Sequence, residues 1–375
     1  MPRSFYRLLL AVAVSAVGSP LTVFALGLFA YREGGYAPVA GLFFFRVLAR
    51  IFLAPPLATL ADRVPAERVL VLGLLFRGLL TALLATTKGF WPWAAIVFLL
   101  QGLEALTGPA LAAAVARLVP EKARTRAYAL LGAVTKTAAL LGPALAGALF
   151  LALGATPLFL LDAASYALAA LLLLDLGPLA APATPKAPFW QEVRAGLRLL
   201  KGPLGYFFLL QAAASAFWRG LELLALPLGP ARYGLGFSLF SLGALLSQAL
   251  LALRPLPPRP PLVAGLFGAA ALPFLLGLPW FLAFPLAGAA YGASGPLFSA
   301  LLPRLVPREM LARAFALGPL ALALGAPAGL FLAPLLAKRL GPGAGLQGLA
   351  LVLLLIALFV AKRLGPGKPG PDDTT

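Results

Sequence analysis

The sequence predicts an all-α integral membrane protein of twelve transmembrane helices, arranged as two pseudo-symmetric six-helix bundles. Three observations carry that expectation. Of 375 residues, 61% are hydrophobic and 11% charged, with a mean hydropathy of +0.96, whereas soluble domains carry about a quarter charged residues. Apolar runs recur at the length of a membrane span, about 20 residues. One stretch is also written twice: Arg117-Leu-Val-Pro120-Glu-Lys-Ala-Arg-Thr-Arg126-Ala-Tyr-Ala-Leu130 returns 187 residues later as Arg304-Leu-Val-Pro307-Arg-Glu-Met-Leu-Ala-Arg313-Ala-Phe-Ala-Leu317. That offset is half the chain, so each half bends back at the same place. Parallel internal repeats of this kind mark some secondary transporter folds.

Hydropathy and helix breakers place the spans at 8–30, 37–60, 68–87, 90–116, 126–153 and 155–177, then at 203–229, 234–253, 261–278, 280–303, 311–337 and 342–361. The ninth is the shortest, because Pro255, Pro257, Pro258, Pro260 and Pro261 leave a stiff turn before it. The resulting organisation is an N-terminal bundle (1–177), a linker (178–202), a C-terminal bundle (203–362) and a disordered Gly/Pro/Asp-rich tail (363–375). Within the linker, Trp190, Val193, Leu197 and Leu200 recur at helical spacing with Arg194, Arg198 and Lys201 opposite them. Such an amphipathic helix lies on an anionic membrane surface, as a tether between the bundles.

The thirty Lys and Arg residues test this map. Twenty fall in the termini, the linker and the loops on one side, among them Arg3, Arg7, Arg63, Arg68, Arg117, Lys122, Arg124, Arg126, Arg254, Arg259, Arg304, Arg308 and Arg313. Five fall in the opposite loops: Arg32, Lys88, Arg232, Lys338 and Arg339. The positive-inside rule then puts both termini in the cytoplasm and an anionic inner leaflet against the basic loops. The net charge of +18 is thus a topology signal and not a nucleic-acid footprint. Cysteine and histidine are absent, which excludes disulfides, Cys/His metal sites, cysteine nucleophiles and histidine relays. No catalytic motif is visible, so neither an enzyme nor a cofactor or metal site is expected. Asparagine is also absent and Met occurs twice, which fits a thermophilic source.

The turn after the second span reads Pro56-Leu-Ala58-Thr-Leu-Ala-Asp62-Arg63-Val-Pro-Ala66-Glu67-Arg68. It resembles the cytoplasmic loop motif of the major facilitator superfamily, with Ala58 for the usual glycine and with Ala66 and Glu67 where arginines are usual. Leu158-Phe-Leu-Leu-Asp162-Ala-Ala-Ser165-Tyr, Gly142-Pro143-x-x-Ala146-Gly147 and Glu192-Val-Arg-Ala-Gly-Leu-Arg-Leu-Leu200 extend the likeness. Together with the repeated loop, they look like the drug and macrolide efflux branch, related also to siderophore exporters. The resemblance implies a monomeric, proton-coupled antiporter of a bacterial cytoplasmic membrane, of multidrug-resistance type. Phe98 stands where many members carry an arginine before Gln101-Gly102, which puts that version of proton coupling in question. The alternatives are export of a siderophore or other anionic metabolite, and a membrane assembly protein that does not transport.

Charges inside spans cost about 2.5–3.5 kcal/mol each on insertion scales, so each calls for a partner or a task. The set is Arg46, Arg50, Arg77, Glu104, Lys136, Asp162, Arg219 and Glu222. Arg219 and Glu222 stand at i, i+3 and pair along one helix face. Glu104, Asp162 and Glu222 are the proton-coupling candidates. Glu104 reads equally as a partner of Arg46, Arg50 or Arg77, and Asp162 equally as a packing element. By resemblance, the first, fourth, seventh and tenth spans line a cavity offering Ser19, Thr22, Gln101, Glu104, Gln211, Trp218, Arg219, Tyr291 and Ser294; Arg46 and Arg50 are the remaining substrate candidates. Asp62, with Arg63, Arg68 and Arg313, forms a conformational latch by the same resemblance. Gly142, Pro143, Gly147, Gly325 and Gly329 provide close helix contact.

Overall fold

The computed structural model describes residues 1–53, 57, 64–174, 176, 198–306 and 310–365. The described residues are helical almost throughout. In chain order the helices are α1 (Arg3–Gly34), α2 (Tyr36–Phe52), α3 (Ala66–Thr86), α4 (Phe90–Leu118), α5 (Glu121–Leu153) and α6 (Ala155–Leu173). After the linker come α7 (Pro203–Leu224), α8 (Pro230–Leu253), α9 (Pro260–Ala269), α10 (Leu272–Leu275), α11 (Trp280–Leu305), α12 (Leu311–Leu340) and α13 (Pro342–Leu364). Among the described residues, nine helices are long and apolar enough to cross a membrane. The other three span positions have visible causes. The helix α2 is 17 residues long, Gln211, Arg219 and Glu222 interrupt the apolar run of α7, and the ninth span is split into α9 and α10. The split falls just before Pro273, which has no N–H to give and whose ring crowds the preceding turn.

The chain forms two compact units, Met1–Pro185 with Leu226–Ser238, and Lys186–Ala225 with Leu239–Thr375. In the first unit α1 packs on α5 and α6, and α3 on α4 and α6. In the second, α7 packs on α12 and α13, and α9 on α11 and α13. Lipid chains are as apolar as leucine, so these contacts depend on close approach more than on escape from water. Small residues supply it. A Cβ on Gly325 or Gly329 of α12 would overlap the backbone of Ala212 or Ala216 of α7, and one on Gly243 or Gly288 would drive α8 from α11. In the first unit, a Cβ on Gly147 would meet the Pro230 carbonyl and one on Gly234 the Pro143 carbonyl, while Gly142 lies against Pro20. Ser238 Oγ accepts a hydrogen bond from the Ala144 N–H at 3.0 Å, next to Pro143.

The repeated stretch has the same shape wherever it is described. Val119 and Val306 leave the helix in extended conformation before a proline, as the pre-proline clash requires. Both valines are buried, as are Ala127 and Ala314 at the same 187-residue offset. Phe5, Val69, Val119, Ala127 and Leu176 share one apolar cluster, so the helix ends bearing Arg3, Arg7, Arg68, Arg117, Lys122, Arg124 and Arg126 converge at one end of the first unit. Arg32 and Lys88 lie in the turns at the other ends of those helices. Gly154 and Gly341, again 187 residues apart, turn the chain at φ 80° and φ 84°, a left-handed region that glycine enters without strain. The linker at 178–197 and the tail from 366 lie outside the described residues.

Arg124 breaks the repeat. Its guanidinium donates to the Ala116 carbonyl at 2.7 Å and the Val119 carbonyl at 3.3 Å, closing free acceptors at the C-terminus of α4. Leu311 occupies the matching position in the second half. Arg124→Ala should therefore lower stability by about 1–2 kcal/mol in thermal unfolding in detergent. Arg126→Ala, at an exposed position, should change it by less than about 0.5 kcal/mol.

Candidate transport site

The polar side chains within the spans fall into three groups, and the first is built on α1, α3 and α6. Ser19 Oγ gives its proton to the Ser15 carbonyl at 2.9 Å, so toward Tyr166 it acts as acceptor, and the Tyr166 hydroxyl donates to it at 2.9 Å. The Tyr166 oxygen is then free to accept, and Arg77 Nη2 donates to it at 2.7 Å. A directed chain thus runs Arg77, Tyr166, Ser19, Ser15. It holds a cation inside the bundle on a neutral acceptor, with the guanidinium also 4.6 Å from the Tyr166 ring centroid. Asp162, 1% exposed, lies one turn before Tyr166. Ser165 Oγ is 2.7 Å from the Asp162 carbonyl oxygen and 3.2 Å from its carboxyl oxygen. Gly18 makes room for this pair, since a Cβ there would overlap Ser165 Oγ and approach Asp162 Oδ1. Buried Thr22 faces the carboxyl outside hydrogen-bond geometry.

The second group links α2 to α4. Arg46 Nε donates to Gln101 Oε1 at 3.3 Å, and Gln101 Nε2 donates to Glu104 Oε2 at 3.0 Å. A buried amide therefore relays between a cation and an exposed carboxylate. Of the three arginines that the sequence offered to Glu104, Arg46 reaches it through Gln101, Arg77 is held by Tyr166, and Arg50 is exposed.

The third group lies in the second unit. Arg219 Nη1 pairs with Glu222 Oε2 along α7, at the spacing that puts both on one face. Beside them Trp218 stacks edge-on against Phe240 of α8 at 4.8 Å and Tyr291 of α11 at 5.1 Å, and Phe267 of α9 meets Tyr291 at 6.1 Å. Trp218 Nε1 is buried without a hydrogen-bond partner. Gln211 lines a small cavity with Leu204, Phe208, Phe298 and Gly318. Ser294 gives its hydroxyl to the Tyr291 carbonyl at 2.7 Å, a local helix bond.

Sequence reasoning overlooked Tyr166. In an apolar helix a tyrosine reads as packing, although Asp162-x-x-Ser165-Tyr166 put a second polar group one turn from the acid. Asp62 and Arg63 lie outside the described residues, as does the side chain of Arg313. Arg68 is exposed at the start of α3. Among the described residues, no group of three or more acidic side chains could hold a metal.

Gln101→Leu keeps the buried volume and removes the relay between Arg46 and Glu104. It should lower stability by about 1–2 kcal/mol in thermal unfolding, whereas Arg50→Gln should leave the midpoint unchanged.

Comparison with curated proteins gives no match. Solved structures of similar fold include a POT family transporter in complex with 5-aminolevulinic acid, with a TM-score of 0.74 and 15% identity over 97% of this chain and 96% of that one. The nucleoside transporter NupG gives a TM-score of 0.74 at 12% identity, over 96% of this chain and 99% of its own. A bacterial homolog of the human lysosomal transporter Spinster, inward-facing and unoccupied, gives 0.68 at 14% identity over 96% of each chain. At these identities the likeness is one of fold. The family model of the Major Facilitator Superfamily matches residues 8–252. The chain therefore belongs to the Major Facilitator Superfamily, and is a membrane transporter and not an enzyme.

Proposed function

We propose that the protein is a proton-driven exporter of amphiphilic small molecules, working by alternating access in a bacterial cytoplasmic membrane with both termini on the cytoplasmic side. The observation that carries this reading is the aromatic cluster of Trp218, Phe240 and Tyr291 beside an internally neutralised pair, Arg219 and Glu222. Flat apolar walls with few fixed charges suit a compound with an apolar body and a polar end; a sugar would require many convergent hydrogen-bonding groups. Glu222 is already engaged by Arg219, which leaves Glu104 and Asp162 as carriers of the coupling proton. Glu104 has an exposed carboxylate and Asp162 a buried carboxyl.

A second reading, export of an anionic metabolite such as a siderophore, is supported by one feature. Arg77 lies inside the first unit on a neutral hydroxyl and Arg50 is exposed in α2, so positive charge remains for an anionic cargo.

Inside-out vesicles acidified in the lumen and loaded with a pH-sensitive dye separate the two readings. Macrolides and cationic dyes should release the gradient in vesicles carrying the protein and not in vesicles lacking it. Release by catechol-type anions alone would favour the second reading. Silence toward every compound would contradict proton-coupled export.

A further inference from the structure

The two halves bury their last helices in the same register. On α6 the buried positions include Leu158, Asp162, Tyr166, Ala170 and Leu173. On α13 they include Gly345, Leu349, Leu353, Ala357 and Val360, each 187 residues further on. Asp162 and Leu349 each stand against a glycine of the first helix of their half, Gly18 and Gly220. The second half thus solves the same packing problem with two leucines where the first has an acid and a tyrosine. Packing alone does not call for Asp162 or Tyr166, and both groups are costly to bury.

The acid has little local hydrogen bonding. Ser165 has one hydroxyl proton, and its shorter contact, 2.7 Å, is to the Asp162 carbonyl oxygen. The same hydroxyl also reaches the Asp162 carboxyl oxygen, at 3.2 Å, so the acid has only a shared local donor. Among the described residues, no cation lies within ion-pair distance of Asp162. Arg77 lies within its electrostatic reach and is occupied by Tyr166.

We infer that Asp162 is a proton-binding site whose charge state decides whether Arg77 is held by Tyr166 or by Asp162. This assignment rests on the reading of the protein as proton-coupled. With the acid protonated, Arg77 remains on Tyr166, and Tyr166 ties α6 to Ser19 of α1. Loss of the proton to water leaves a carboxylate, which draws the guanidinium from the tyrosine hydroxyl. The hydrogen-bond chain joining α1, α3 and α6 then opens at its centre. Tyr166 acts here as a positioning residue. The surrounding groups are few: α1 offers the hydroxyls of Ser19 and Thr22, α3 offers Arg77, and α6 itself offers Ser165 and Tyr166. Glu104 of α4 lies within electrostatic reach of Tyr166, and Lys136 of α5 is exposed.

Infrared titration of the protein in lipid vesicles tests this without any transported compound. The wild type should show a carboxylic-acid carbonyl band that disappears as pH rises, with a tyrosine ring mode shifting over the same range. Asp162→Leu, which copies the second half's own solution, and Asp162→Asn should both lack that band; the tyrosine shift should vanish with it. Asp162→Leu should fold with the thermal midpoint of the wild type, and its failure to fold would contradict the packing argument. In vesicles where a compound releases the proton gradient through the wild type, both variants should lose that release by tenfold or more. A band unchanged in the two variants, or proton release equal to the wild type's, would overturn the assignment. Should the wild type release no protons with any compound while its Asp162 band still titrates, the exporter reading fails and the proton site stands.

Discussion

In the hydrocarbon core no water is at hand, so every polar group the chain takes there must find its partner within the protein. That constraint shapes each of the three polar groups. Ser294, Thr135 and Ser247 return their hydroxyls to carbonyls three or four residues back, which satisfies them without reference to any other helix. Arg219 and Glu222 satisfy each other within one turn. Arg46, Gln101 and Glu104, and Arg77, Tyr166 and Ser19, are different, because each set needs two or three helices held in register. A sub-ångström change in helix position is enough to break such hydrogen bonds. These two sets therefore depend on the relative placement of the helices they join.

The helices are brought into register by glycine and alanine. Gly325 and Gly329 on Ala212 and Ala216, and Gly243 and Gly288 on the α8–α11 crossing, let backbones touch where side chains would hold them apart. Proline contributes differently in each place. Within α11 and α12, Pro285, Pro296, Pro303, Pro319, Pro327 and Pro334 are carried inside continuous helices, while Pro273 follows a break in the ninth span. The same residue type is tolerated in long spans whose neighbours stabilise the helix, and coincides with an interruption in a short one.

Much of this was legible in the sequence. Composition and run length pointed to the membrane class, and the 187-residue offset of the doubled Arg-Leu-Val-Pro stretch reappears in Gly154 and Gly341 and in the buried register of α6 and α13. The Arg219–Glu222 pair followed from spacing alone. What could not be read is tertiary. Which arginine meets Glu104 depends on how α2 and α3 face α4, and no periodicity encodes that. Tyr166 escaped notice because a lone tyrosine in an apolar helix has the same pattern as a packing residue; only the position of Arg77 and Ser19 in space gives its hydroxyl a role.

The most direct test of the account is whether Arg77 and Tyr166 act as one unit. A double-mutant cycle of Arg77→Gln and Tyr166→Phe, read by thermal unfolding in one detergent, isolates their interaction. The account predicts that the double variant departs from the sum of the single ones by about 1 kcal/mol or more. Additivity within about 0.3–0.5 kcal/mol would show that the two side chains are independent, and would contradict the chain of bonds from which the proton site is argued.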